Sequence, residues 1–237
     1  MWVVLILASF LAALISGAAG FGGALLLLPV ITYYIGAVAA VPVITLAQLI
    51  GNLARMASGF RQIKWSAVGW FCLTALPLSA LGAFGFTVLP KDIVTRCIGG
   101  ALILLVVFKM CKLFELKGSR ATLLIGGAVT GGLSGLAGSG GPIGAAVFLS
   151  LGLSPVAYIA SEAATAVAMH ALKTVVYSKL ASLTIETLLL GLAMGAAMVA
   201  GTFAANRFIR RMEKGRFQTF VAVLLCVVGL YMLIFGA

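Results

Sequence analysis

Charge is what this sequence has least of. Its 237 residues hold 16 Lys and Arg, five Asp and Glu and a single His, so 9% are charged while 63% are hydrophobic. Globular domains carry roughly 25% charged residues, so a chain with a mean hydropathy of +1.22 cannot present a wetted surface. No charge occurs before Arg55 or between Arg120 and Glu162, and residues 65 to 90, 187 to 206 and 217 to 237 are also charge-free. Since a spanning helix needs roughly 20 apolar residues, these runs supply several membrane crossings and leave no extramembrane domain. Paired cysteines are lacking too. Cys72, Cys97, Cys111 and Cys226 show no CxxC spacing and lie in or beside apolar segments, which reads as buried reduced thiols, with no metal, disulfide or other cofactor expected.

The charge that is present is lopsided, at +11, but the basic residues sit in short connectors between apolar runs rather than on one exposed face. That placement excludes a nucleic-acid partner and leaves the lipid bilayer as the chain's surroundings. The N-terminus, MWVVLILASFLAALISGAAG, is similar to a secretion signal but lacks a positive n-region, and its SGAAG end recurs internally, so it is read as mature sequence.

That recurrence organises the chain. Residues 16 to 23, SGAAGFGG, are matched 118 residues later by residues 134 to 141, SGLAGSGG, with six of eight positions identical. The same offset sets Asn52 opposite His170 and Arg55 opposite Lys173. Two homologous halves follow, 1–116 and 117–237. The apolar segments are 2 to 35, 37 to 58, 65 to 88, 93 to 113, 120 to 152, 155 to 178, 184 to 206 and 217 to 236. The first and fifth are overlong, because a 34-residue helix would run about 51 Å against a hydrocarbon core of about 30 Å. Each carries its glycine motif near the middle, where Gly-x-Gly-Gly is a poor helix interior and Pro142 suits the first turn of a new helix.

Basic-residue bias sets the topology. If every long segment crosses once, the Lys and Arg divide 9 to 7 between the two sides; if each enters, breaks at its glycines and returns, they divide 12 to 4. The second division follows the positive-inside rule. It implies an all-α integral membrane protein, multi-pass in the cell (inner) membrane. Its two inverted repeats each contain one broken, re-entrant, glycine-interrupted helix and three transmembrane helices. Glycine-interrupted segments at matching places in inverted repeats point to the binding site of a secondary transporter. Gly20, Phe21, Gly22 and Gly23 with Ser134, Gly138, Ser139, Gly140 and Gly141 are therefore the expected substrate-binding set. The two half-helix N-termini together offer about one positive charge, which suits a small anion. Gly127, Gly131 and Gly135, and Ala197, Gly201 and Ala205, read instead as packing faces at four-residue spacing.

The paired GxxGFGG and GLxGxGGP motifs, the two-half arrangement and the connector Gly59-Phe-Arg-Gln-Ile-Lys-Trp65 resemble the sulfite exporter TauE/SafE family along essentially the whole chain. Ala24 departs from a first motif that often continues with another glycine. The resemblance implies a membrane permease for sulfite, sulfoacetate or related organosulfonates.

Polar residues inside spans are functional candidates, because each is costly in lipid. Gln48, Asn52 and Arg55 form one helical stripe, and Glu162, Thr165, His170 and Lys173 form its counterpart. Gln48 and Asn52 are read as substrate contacts. Glu162, taken as an unpaired carboxylate, and His170 are the expected proton-coupling pair. Arg55 and Lys173, near segment ends, are expected to snorkel to the interface. Two other functions use the same residues. Ala137-Gly-Ser139-Gly with His170 is similar to an intramembrane serine protease, although Phe21 at the equivalent place in the first half makes glycine backbone, not hydroxyl, the duplicated feature. A passive anion channel would share every feature except coupling. Homo-oligomerisation is left open by the sequence.

Overall fold

A computed structural model of the chain describes residues 1–19, 23–88, 117–138, 140–180 and 184–209, with residues 213, 216, 219 and 223. The expected segment 93 to 113 and nearly all of 217 to 236 lie outside the described residues, as do Gly20, Phe21, Gly22 and Ser139. Among the described residues the fold is all helical: α1 (Trp2–Ala19), α2 (Ala24–Ser58), α3 (Trp65–Val88), α4 (Arg120–Ala137), α5 (Gly141–Ser150), α6 (Pro155–Leu180) and α7 (Ile185–Ile209). A 3-10 turn, Phe60–Gln62, joins α2 to α3. Among the described residues, three stretches are long and apolar enough to cross a membrane: Ala39–Ser58, Trp65–Phe86 and Ile185–Arg207.

Local chemistry sets the boundaries. Ser119 caps α4 by accepting a hydrogen bond from the Thr122 N–H at 3.1 Å. Gly138, at φ 72, ends α4 in the left-handed region that a side chain disfavours, and Pro142 sits in the first turn of α5. The second overlong segment therefore breaks at its glycine motif, and in the first, α1 ends at Ala19 and Gly23, at φ 66, precedes α2. At the next junction the chain runs on from the first broken segment into the second apolar segment as one element, bent at the boundary expected between residues 35 and 37. Gly36, at φ 74 and ψ 157, interrupts it and leaves an arm of residues 24–35 and an arm of residues 37–58. Only glycine takes that conformation cheaply, and a β-carbon there would meet nothing within 4 Å, so the requirement is conformational rather than steric.

Contacts fix the chain directions. Gly126 lies beside Val147, Thr130 beside Gly144 and Ser134 beside Gly140, so α5 turns back antiparallel along α4. The 37–58 arm and α6 also run antiparallel, with Gly59 beside Val156 and Ala160 at one end and Val41 clustered with Tyr177 at the other. In contrast, α3 and α4 run parallel with backbones in contact. A methyl group on Gly127, Gly131 or Gly135 would overlap the carbonyls of Phe71, Ala75 and Ser79 in turn. The four-residue glycine face is thus a packing face, and Gly201 of α7 plays the same part against the Phe10 carbonyl of α1.

Two apolar cores result. One gathers Leu5, Ala12, Leu27, Ile31, Ile44, Leu190 and Met194 from α1, α2 and α7. The other gathers Phe71, Leu123, Val147, Phe148, Tyr158 and Met169 from α3, α4, α5 and α6, with the Phe71 and Phe148 rings 5.3 Å apart.

Candidate functional site

Where the cores meet, the polar stripes of α2 and α6 face each other. Arg55 donates from Nη1 to Asn52 Oδ1 at 2.7 Å and from Nη2 to the Glu162 carboxylate, forming an ion pair. Asn52 Nδ2 in turn donates to the Gln48 carbonyl at 2.8 Å, and Thr165 Oγ1 donates to the Glu162 carbonyl at 2.7 Å. About three turns beyond Glu162 on α6, the Lys173 ammonium donates to Ser134 O at 3.0 Å and to Ser134 Oγ at 2.8 Å. Two expectations are corrected here. Arg55 and Lys173 do not snorkel: they are 3% and 0% exposed, because each reaches inward to a partner on another helix. Glu162 is not unpaired, since Arg55 satisfies it.

A cavity of about 20 Å³ lies beside this network. It has room for about one water molecule. Of the residues expected from sequence, Gln48, Asn52, Ser134, Gly138, Gly140, Gly141, Glu162 and His170 line it. Gly23 is buried behind the α2 N-terminus, where a β-carbon would meet Ser16 Oγ at 2.8 Å. Thr130, Gly144, Thr165, Ala166 and Met169 line the cavity without having been expected, as does Ala24. Thr165 was legible as part of the α6 stripe. Thr130 and Gly144 were not, because only the return of α5 along α4 brings them to the site.

The cavity's chemistry is that of a donor cluster. Ala24 opens α2, and Gly140 and Gly141 open α5, so two helix N-termini with N–H groups lacking intrahelical partners face one space. Gln48 Nε2, Thr130 Oγ1 and His170 Nδ1 are buried with no hydrogen-bond partner among the described residues. Buried polar atoms of this kind are costly unless something receives them, and here they surround a single void. Gly140 is needed sterically, because a β-carbon there would overlap the Thr130 carbonyl and press on Ser134. Among the described residues, no three His, Cys, Asp or Glu side chains come together as metal ligands.

A family model described as Sulfite exporter TauE/SafE matches residues 5–232. Neither the curated proteins nor the solved structures yield a match. A match over nearly the whole chain, on a helical fold with membrane-spanning stretches and a buried donor cluster at its broken helices, leaves one conclusion: this protein belongs to the TauE/SafE family of membrane sulfite exporters.

Proposed function

We propose that the protein is a secondary transporter that moves a small sulfur-containing anion, sulfite, sulfoacetate or a related organosulfonate, across the cell (inner) membrane. The observation that carries this reading is the convergence, on one small cavity, of two helix N-termini and three polar side chains that have no hydrogen-bond partner among the described residues. Alternating access is the proposed mode, and saturable, pH-dependent flux is the outcome that separates it from a passive channel. His170 and Glu162 are the proposed proton-coupling groups. His170, with Nδ1 unpartnered at the cavity, is placed to exchange a proton with the anion's surroundings, whereas Glu162 is tied to Arg55.

We further propose that residues 1–116 and 117–237 form inverted repeats. The 118-residue offset makes the 37–58 arm the counterpart of α6, and these two run in opposite directions. The pairing of elements is also reciprocal. Since α1 corresponds to α4 and α3 to α7, the contacts α1 with α7 and α4 with α3 exchange under the repeat. The antiparallel return of α5 along α4 supports a re-entrant second segment, and its ten residues, about 15 Å, are too few to cross.

Thermal unfolding of the purified protein in detergent with sulfite, sulfate, sulfoacetate, other sulfonates and carboxylates tests the reading. A true substrate at 100 times its Kd should add about 2.7 kcal/mol to stability. The double variant Gln48→Leu, Thr130→Val removes two cavity donors while sparing the Arg55–Glu162 pair, and should weaken anion binding about tenfold or more. Absence of any anion-dependent shift in the wild type, or an undiminished shift in the double variant, would reject the site.

A further inference from the structure

The two buried cations of the polar stripes occupy corresponding positions, yet only one has a carboxylate. Arg55 and Lys173 are related by the 118-residue offset. In the antiparallel register of the 37–58 arm and α6, Arg55 meets Glu162, and the same register sets Lys173 against Ile44. Ile44 is apolar and fully buried. Lys173 is itself 0% exposed, and among the described residues no carboxylate pairs with it. Its two hydrogen bonds, to Ser134 O and Ser134 Oγ, satisfy two of three ammonium hydrogens and none of its charge. An ammonium held this way in a protein interior is costly until an anion reaches it.

The route from that charge to the cavity passes through Ser134. Because Lys173 Nζ donates to Ser134 Oγ, the serine hydroxyl hydrogen is left to donate elsewhere, and Ser134 lines the cavity. A hydroxyl that accepts from an ammonium is also polarised into a better donor. The charge count then decides the ligand. Arg55 is neutralised by Glu162, the two helix N-termini supply about one positive charge, and Lys173 supplies one more. We propose that Lys173 is the counter-charge of the carried anion and sets the site's preference for doubly charged over singly charged anions. The proposal rests on the anion-transport reading above. Lys173 acts through Ser134 and through its field, as a specificity-setting residue rather than as a residue that itself grips the anion.

Isosteric anions of different charge test this directly: sulfate against methanesulfonate, and sulfoacetate against its amide, with Kd measured on the full-length protein in detergent at constant pH and ionic strength. The wild type should bind the dianion of a pair at least about tenfold more tightly than the monoanion. Lys173→Met should collapse that ratio to within about threefold by weakening the dianion, and Lys173→Arg should restore it. Ser134→Ala, which cuts the hydrogen-bonded route but keeps the ammonium and its bond to the Ser134 carbonyl, should weaken both members of a pair and lower the ratio by less than Lys173→Met does. A merely structural lysine would lower both affinities together on Lys173→Met, and that result overturns the proposal while leaving the anion site intact. Equal affinities for dianion and monoanion in the wild type overturn it without any variant, which keeps the test decisive should Lys173→Met fail to fold. If no anion binds the wild type, the transport reading falls and this proposal falls with it.

Discussion

Arg55→Met is expected to remove about 3–5 kcal/mol of stability, the cost of leaving one member of a buried ion pair without its partner. Glu162 is 3% exposed, and its carboxylate takes its charge-assisted hydrogen bond from Arg55 across two different helices, so the substitution leaves an uncompensated charge between α2 and α6. It also strips Asn52 Oδ1 of the donor that orients it. Glu162→Met should cost a similar amount for the mirror reason. The double variant Arg55→Met, Glu162→Met should recover most of the loss, because two apolar side chains of similar volume carry no desolvation penalty. Unfolding of all four proteins in the same detergent closes the cycle. A loss below about 1 kcal/mol for Arg55→Met alone is what an exposed pair would give, and it would contradict the burial described here.

Adjacent glycines on α4 should respond to alanine with opposite signs. A β-carbon on Gly131 would overlap the backbone of Ala75, which has no side-chain freedom to move aside, whereas one on Gly132 would meet nothing within 4 Å. Gly131→Ala should therefore cost about 3 kcal/mol or more as α3 and α4 are forced apart. Gly132→Ala should instead stabilise by about 0.5–1 kcal/mol, the helix preference of alanine over glycine. Thermal unfolding distinguishes the two readily, and equal effects would show that the α3–α4 contact is looser than described.

The glycine motifs and the charge-free runs made the broken helices legible, since both report physical necessities of a chain in lipid. The starts of α2 after Gly23 and of α5 after Gly140 follow from residues that cannot continue a helix, and the packing face at Gly127, Gly131 and Gly135 follows from spacing alone. The place of the break at Gly36 was legible as the gap between segments 2 to 35 and 37 to 58, but its nature was not. A lone glycine in an apolar stretch reads as packing until its backbone angles are known, and here nothing packs on it. The site was half visible for a related reason. Residue type marked Gln48, Asn52, Glu162 and His170 as polar groups in an apolar chain, but their partners depend on how α2 and α6 are set against each other. Arg55 and Lys173 were misjudged because distance from a segment end says how easily a side chain can escape, not whether something inside holds it.

The two apolar cores carry a consequence for how such a protein would move. Covalent halves and mechanical halves are not the same. The tightest contacts join helices from opposite sides of the 118-residue sequence repeat, α3 to α4 through backbone-on-backbone glycines and α1 to α7 through Gly201, so sliding residues 1–116 past 117–237 would tear these seams. A partition that leaves them whole groups α1, α2 and α7 around one core and α3, α4, α5 and α6 around the other, with Ala205 of α7 and the Val41–Phe86–Tyr177 cluster bridging the two. The cavity lies on that dividing surface, with Ala24, Gln48 and Asn52 on one wall and the α4, α5 and α6 residues on the other. The Arg55–Glu162 bridge spans the same surface, so on the proposed transport cycle it would be a clasp between two parts rather than a rivet within one.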